Sequence, residues 1–322
     1  MSQSRFPFPR YPNGWFQVAY SDELPPGGVM PLADFGKHMV LYRGQDGQPF
    51  VLDAYCPHLG AHLGYGGKVH GESIACPFHG WEFNGGGQCT AVPYAKNMPP
   101  KVANGQEVIN SYPVVERNQV IWAWYHPQRV APMWELEEAA EFSSDEWTPV
   151  QRFDWKINVA PQETGENAVD AAHFQFVHGT TGVPKGSTVF DGLKRTSEYR
   201  MQVPKIDDQG QLVPGEFGEV HLVSSGNIQR FRGQFEATLL SASLPISSNR
   251  MHMKFAFTHP KNLSPGKKLL ADLAIAEICR QVEGDIPIWE HKIYLDNPTL
   301  CDGDGPIAQY RKWFKQFYAQ PS

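Results

Sequence analysis

Cysteine is scarce in this chain: five in 322 residues, an odd number and too few to staple a chain of this length. That excludes a disulfide framework and points to a reducing compartment, where a cysteine with a special role holds metal or does chemistry. Positive charge is not in excess either. With 28 Lys and Arg against 34 Asp and Glu, the formal net charge is −6. The basic footprint that a phosphate backbone requires is missing, so no nucleic-acid partner is expected. Long apolar runs are absent too: the best, 269–278, is short and holds Asp272 and Glu277, so no transmembrane helix is expected. The opening MSQSRFPFPRYPNGWF has no apolar run behind a basic end and does not read as a secretory leader. A soluble cytoplasmic protein is expected.

What is abundant is core material. Hydrophobic residues make up 41% of the chain, with nine Trp, nineteen Phe and twelve Tyr, enough for two domains of ordinary size or one large one. Three zones differ in texture. From 14 to 127 the pattern is short and β-like with Gly and Pro punctuation, and Asp46-Gly47 between β-type runs over 40–51 is a hairpin signal. This zone reads as a small β-sandwich or barrel with Cys and His on its loops. An acidic stretch, WELEEAAEFSSDEW, opens the second zone as a connecting helix or linker. It is followed by a helical segment over 166–177 and by long β-rich runs such as RMHMKFAFTH. The third zone, 265–318, returns to helical periodicity. Strands followed by long helices indicate an α+β second domain.

The strongest motif is Cys56-Pro57-His58, seventeen residues, then Cys76-Pro77-Phe78-His79. Each pair puts one thiolate and one imidazole at a loop tip, so two converging loops supply the four ligands of a [2Fe–2S] cluster with His on one iron. Gly60, Gly64, Gly66, Gly67 and Gly80 let backbone amides approach sulfur, Pro57 and Pro77 stiffen the loops, and Trp81 and Phe83 are candidate shields. A structural Cys2His2 zinc site is the rival reading, but C-x-H is tighter than the usual zinc knuckle. The segment CPHLGAHLGYGGKVHGESIACPFHGWEFNGGGQC resembles the Rieske domain of Rieske-type non-haem iron oxygenases. The cluster alone also suits a Rieske ferredoxin.

A second constellation lies in GENAVDAAHFQFVHG, with Asp170, His173 and His178. On an ideal helix, histidines five apart diverge by about 140°, so the helix must end or distort near His178, with Gly179 as the natural stop. Both imidazoles then reach one metal, as the two-histidine part of a 2-His-1-carboxylate site. Taken alone, such a pair is more often two ordinary histidines. After a Rieske-like motif, D-x2-H-x4-H resembles the catalytic signature of the same oxygenase family. The missing carboxylate is sought among Asp285, Asp296, Asp302 and Asp304. The stretch EGDIPIWEHKIYLDNPTLCDGDGPIAQYRKWFKQFY resembles the oxygenase component of 3-ketosteroid 9α-hydroxylases and related cholesterol 7-desaturases. There the ligand Asp directly precedes an I-x-I-W or similar helix, which selects Asp285, with Asp302 and Asp304 as fallbacks. The other reading of Asp285 is a helix N-cap or first-turn acid before Ile-Pro.

The resemblance runs from PNGWFQVAY through TAVPYAK to the DGPIAQYRKWFKQFY tail. It implies an N-terminal all-β Rieske [2Fe-2S] domain over 1–130. A C-terminal α+β catalytic domain over 131–322 follows, an antiparallel sheet with helices of helix-grip (START-like) type. It further implies a [2Fe-2S] cluster on Cys56, His58, Cys76 and His79, and mononuclear Fe(II) on His173, His178 and Asp285. Electrons come from a separate NAD(P)H-dependent reductase, directly or through a ferredoxin, since no G-x-G-x-x-G follows a strand here. In the family the cluster and iron of one chain lie too far apart for electron transfer, and a head-to-tail homotrimer brings the cluster of one subunit to the iron of the next. Asp170 matches the carboxylate that bridges the two, linking His173 to His79 of the adjacent chain. Its bland alternative is a surface acid in a local ion pair. Glu166 and Asn167 are either residues supporting the ligands or surface polar residues of a helical turn. Cys89, Cys279 and Cys301 read as ordinary thiols, while His62, His70 and His291 lie off the motifs. The implied reaction is monooxygenation, or desaturation, of an apolar steroid- or sterol-like polycyclic, with O2 as co-substrate. The alternatives are an oxygenase or O/N-demethylase of smaller aromatic compounds, and a Rieske electron-transfer protein without catalytic iron. Sterol desaturases of this group carry N-terminal hydrophobic segments; a soluble bacterial-type enzyme is the better match.

Overall fold

The structure, a computed structural model, describes residues 5–9, 11–180, 182–207 and 209–319. The chain forms two compact units: one of residues 11–136, and one of residues 137–318 with the N-terminal segment 5–9.

The first unit is almost entirely β. Its elements are β1 (Gly14–Tyr20), β2 (Val29–Asp34), β3 (Lys37–Arg43), β4 (Pro49–Asp53) and the short β5 (Lys68–His70), β6 (Ser73–Ala75), β7 (Glu82–Asn84) and β8 (Cys89–Ala91). After a single-turn α1 (Pro100–Ala103) come β9 (Ser111–Tyr112), β10 (Val114–Arg117) and β11 (Val120–Tyr125). They make three antiparallel sheets: β1-β11-β10, β2-β3-β4-β9 and β5-β6-β7-β8. β11, VIWAWY, is buried along its whole length, the pattern of a strand covered on both faces. The Asp46-Gly47 hairpin forms as expected: Arg43 pairs with Pro49, and the Asp46 carboxylate accepts from the Gln48 amide at 2.8 Å. The β5–β8 sheet carries the second Cys/His loop between β6 and β7, and the first such loop follows β4.

In the second unit β12 (Gln151–Ile157) leads into α2 (Pro161–Asn167) and α3 (His173–Phe176). Then come β13 (Lys185–Asp191), β14 (Lys194–Ile206), β15 (Leu212–Ser225), β16 (Ile228–Gly233), β17 (Ala237–Ser247) and β18 (Arg250–Thr258). These seven strands form one antiparallel sheet in the order β12-β18-β17-β16-β15-β14-β13. α4 (Pro265–His291) and α5 (Ile307–Phe314) close the unit. Met251, Met253, Phe255 and Phe257 alternate along β18 and enter the core, as the two-residue strand period dictates. Ala271, Ile275, Cys279, Val282 and Trp289 enter the same core from α4, the three-to-four spacing of one helical face. α4 starts cleanly because Ser264 caps it, its hydroxyl accepting from the Lys267 amide, with Pro265 in the first turn. This is the α+β, helix-over-sheet architecture that the zones implied.

The acidic stretch takes the linker alternative, and the helix over 166–177 differs from expectation. The acidic stretch is no helix beyond the single 3-10 turn Ala140–Phe142. Its carboxylates serve as partners instead: Glu141 accepts from Arg230 Nε at 2.6 Å and Glu137 from Arg230 Nη1 at 2.7 Å. The helix expected over 166–177 is two short helices, α2 and α3, with a break between them. No helix among the described residues is long and apolar enough to cross a membrane.

Candidate metal centres

The two Cys/His loops of the first unit are built alike. In the first, the Cys56 amide donates to Ala61 O at 2.9 Å and the Gly60 amide to Cys56 O at 2.9 Å. In the second, the Cys76 amide donates to Trp81 O at 2.8 Å and the Gly80 amide to Cys76 O at 3.0 Å. Gly60 and Gly80 take φ +74° and +70°, the left-handed conformation that closes each loop and that a side chain disfavours. The result sorts the four side chains by type. Cys56 and Cys76 are buried, free and within hydrogen-bond reach of each other. The His58 and His79 rings stand 4.8 Å apart, half-buried at the loop tips. Burial pushes the Cys56 thiol up to about 11, opposed by the amides of His58 and Leu59 that point at its sulfur. Two thiols inside, two imidazoles outside, and amides aimed at sulfur fit a cluster with its two histidines on one iron.

Aromatic groups frame the imidazoles. Trp81 stacks on His58 at 4.8 Å with ring planes within 6°, and its indole N–H donates to Tyr94 Oη at 2.9 Å. Phe78 touches His79 at 3.9 Å, whereas Phe83 is fully buried in the core beneath. Tyr94 joins this site without any ligand spacing to mark it; its one signal in the sequence is its place in TAVPYAK.

In the second unit, α2 and the loop after it are held by their carbonyls. Tyr310 Oη donates to Gln162 O at 3.0 Å, Tyr199 Oη to Ala168 O at 3.0 Å, and Arg195 Nη1 to Gly165 O at 3.2 Å. The chain breaks helix at Asp170 because the Asp170 carboxylate takes the next amides itself: Oδ1 accepts from Ala172 N at 3.1 Å and His173 N at 3.4 Å. α3 then runs only to Phe176, and Gly179 at φ +70° turns the chain. The distortion expected near His178 is thus present, and it brings the His173 and His178 rings to 5.1 Å, nearly perpendicular.

Asp285 joins them from α4. The donor atoms of His173, His178 and Asp285 all lie within 4.8 Å of one another, and His178 Nε2 is 3.3 Å from Asp285 Oδ1. Asp285 stands inside α4, not at an N-cap or in a first turn. His173 Nδ1 donates to the Asp170 carbonyl, which leaves Nε2 free for a metal. His178 Nδ1 is buried without a hydrogen-bond partner among the described residues. Burial lowers the pKa of both histidines, favouring the neutral ligating form. Burial also raises Asp285 to about 7, against a hydrogen bond from Asn167 that lowers it. Two neutral imidazoles and a carboxylate with no Lys or Arg ion pair among the described residues form a donor set that a divalent cation would complete.

The remaining candidates do not enter. Asp296 and Asp302 are exposed, and Asp304 accepts from the Cys301 amide at 2.7 Å. Asp170 is half-buried, with Oδ2 at 4.0 Å from His173 Nδ1, so the ring bonds to its main chain and not its carboxylate. Asn167 touches Asp285, whereas Glu166 pairs bidentately with Arg311 at 2.6 and 2.9 Å and ties α2 to α5. Cys89 and Cys279 are buried thiols raised by that burial, the inert kind. His62 accepts from Gly64 N, His70 pairs with Glu82, and His291 bonds to Pro287 O.

A unit with paired Cys/His loops, followed by a helix-over-sheet unit that assembles two imidazoles and a carboxylate, defines an oxygenase component of Rieske type. Comparison with known proteins agrees. Residues 14–113 match the Rieske [2Fe-2S] domain, and residues 123–318 match the 3-ketosteroid 9α-hydroxylase C-terminal domain. Cholesterol 7-desaturase nvd of Xenopus laevis is 32% identical over 98% of this chain and 73% of its own. A 3-ketosteroid-9-alpha-monooxygenase oxygenase component of Rhodococcus rhodochrous is 31% identical over 96% and 82%. Among solved structures, dicamba monooxygenase bound to 3,6-dichlorosalicylic acid superposes with a TM-score of 0.70 over 95% of this chain and 96% of its own. At 16% identity this is a likeness of fold. The chain belongs to the Rieske non-haem iron oxygenases, in the family of the 3-ketosteroid 9α-hydroxylases and cholesterol 7-desaturases.

Proposed function

We propose that this chain is the terminal oxygenase of a multicomponent monooxygenase that hydroxylates or desaturates an apolar, steroid- or sterol-like polycyclic. The observation that carries this is the His173, His178 and Asp285 set, assembled from separate elements beside an apolar core. A pure electron carrier has no use for such a set. The relatives named for ketosteroid and cholesterol support the substrate class.

In this reading Cys56, His58, Cys76 and His79 hold a [2Fe–2S] cluster, and His173, His178 and Asp285 hold mononuclear iron. When bound, these groups supply single-electron transfer and open coordination positions for O2. The chain's own residues do the rest. Asp170 fixes the His173 tautomer through its carbonyl, so that the ring presents Nε2, and Asn167 orients Asp285. The half-buried imidazoles put the electron-exchanging edge of the first unit at its surface, framed by Trp81 and Tyr94. We place the 11–136 unit as the electron-transfer domain and the 137–318 unit as the catalytic one. Electrons reach it from an NAD(P)H-dependent reductase, directly or through a ferredoxin. The working assembly is a head-to-tail homotrimer in which Asp170 holds His173 through its carbonyl and reaches His79 of the adjacent subunit with its carboxylate. The five free cysteines accord with a cytoplasmic setting.

The test is product identification by mass spectrometry, with a surrogate reductase, NADH and 18O2, over a panel of steroids, sterols and aromatic acids. Incorporation of one labelled oxygen atom, or loss of two hydrogens, on a steroid or sterol is expected. Peroxide release with every steroid, together with clean oxidation of an aromatic acid, would reverse the substrate assignment.

A further inference from the structure

The segment Arg5-Phe6-Pro7-Phe8-Pro9 precedes the Rieske unit in sequence but packs as part of the catalytic unit. Phe6 is 3% exposed and lies in the core cluster with Val282 and Trp289 of α4. Phe8 meets Tyr294 edge-on at 4.7 Å and stacks on Tyr318 at 5.8 Å. The Arg5 carbonyl accepts from the Tyr294 amide at 2.9 Å. These contacts aim the Arg5 guanidinium at the C-terminal end of α4. There Nη1 donates to Glu290 O and reaches Trp289 O at 3.4 Å and Lys292 O at 3.3 Å. A helix end leaves its last carbonyls without intrahelical donors, and a planar cation with several N–H groups satisfies them and the helix dipole together.

The other arm of the fork reaches elsewhere. Nη2 donates to Asn158 O at 2.5 Å. The Glu290 carboxylate makes a parallel tie, accepting from Asn158 N at 3.0 Å and Nδ2 at 2.8 Å. Asn158 follows β12 and leads into α2, the helix that ends at Asn167 and is followed by Asp170, His173 and His178. Arg5 therefore joins two arms at their far ends: α4, which carries Asp285, and the α2–α3 stretch, which carries both histidines. The α4 arm needs such a tie because Pro287, two residues beyond Asp285, has no N–H for the Glu283 carbonyl and weakens the helix there.

We propose that Arg5 is a positioning residue for the mononuclear iron ligands, its guanidinium clamping the α4 end to the α2–α3 arm. The segment ahead of the Rieske unit is then part of the scaffold of the catalytic centre. This rests on the reading that His173, His178 and Asp285 hold iron, and the two fail separately. If His173→Ala keeps its mononuclear iron, the ligand reading is wrong whatever Arg5 does.

The experiment uses full-length protein loaded with Fe(II). Release of mononuclear iron to ferrozine is followed well below the melting temperature, while the visible spectrum reports the cluster. Arg5→Met is expected to release mononuclear iron about tenfold faster than the unsubstituted protein, with the cluster spectrum unchanged. Arg5→Lys keeps the charge but not the fork and falls between the two. Val220→Ala trims the same core and is expected to lower the melting temperature without speeding iron release. Release from Arg5→Met within about twofold of the unsubstituted protein overturns the proposal. So does equally fast release from Val220→Ala, which reduces Arg5 to general stability. Should Arg5→Met not fold, Arg5→Lys decides: release at the unsubstituted rate rules the clamp out.

Discussion

Lys292→Met strands a buried charge, and the structure shows which one. Lys292 Nζ is 2.8 Å from Glu163 Oε2 and 3.8 Å from Glu166 Oε1. Glu166 keeps its bidentate Arg311 when the lysine is lost. Glu163 does not: its side chain is fully buried, and apart from Lys292 neither carboxylate oxygen has a hydrogen-bond partner among the described residues. Removing one partner of a buried ion pair costs about 3–5 kcal/mol, and Lys292 is partly solvated, so about 3 kcal/mol is expected. For a unit of this size that is a fall of about 6–12 °C in melting temperature. The pH dependence has a definite sign. Burial raises the Glu163 carboxyl, with Lys292 pulling it down. A raised folded-state pKa means that the folded protein holds the proton more tightly than the unfolded chain. Its contribution is therefore full at low pH and is lost as pH rises through the folded value. Without Lys292 the carboxyl is raised further, so the deficit of the variant shrinks on acidification. Thermal melts by far-UV circular dichroism across a pH series should show a larger loss at the higher pH values than at the lower ones. Glu163→Gln in the Lys292→Met background should restore most of it. Equal losses across the series, or a double variant as unstable as the single, would refute the reasoning.

Three further outcomes are expected. Cys76→Ala removes a cluster ligand, so the visible absorption of the cluster disappears while mononuclear iron, measured by metal analysis, stays. Asp170→Asn keeps an oxygen for the Ala172 and His173 amides and hence the fold, and retains both metal centres by spectroscopy. If Asp170 bridges subunits as proposed, the variant loses at least about 99% of turnover with the reductase, because the bridging charge is gone; near-normal activity would remove Asp170 from electron transfer. Tyr310→Phe deletes a fully buried hydroxyl that donates to Gln162 O and should cost about 1–2 kcal/mol in urea unfolding, with no change in the cluster spectrum.

The cluster loops were legible from sequence because their geometry is local. Cys56, His58, Cys76 and His79 sit in two short segments, and Gly60 and Gly80 mark the turns that close them. The two histidines were legible for the same reason, including the need for a bend near His178. The interruption between α2 and α3 was not, since nothing in the spacing of GENAVDAAHFQFVHG says that the Asp170 side chain takes the next amides from the helix. Asp285 was reached only by resemblance. Its place inside α4 was hidden by Pro287, which reads as a helix boundary. Tertiary contacts override that rule here: Trp289 is buried in the core, and Arg5 occupies the carbonyls beyond. The membership of residues 5–9 in the catalytic unit was illegible too, because a five-residue segment has no periodicity to read and its partners lie at the other end of the chain.

Iron and acid-labile sulfide analysis of the purified full chain and of Asp285→Ala tests the central claim most directly. The account expects about three iron and two sulfide per unsubstituted chain. The variant should hold about two of each, with its cluster spectrum intact. Two iron in the unsubstituted chain after anaerobic Fe(II) loading, or about three in the variant, would contradict it.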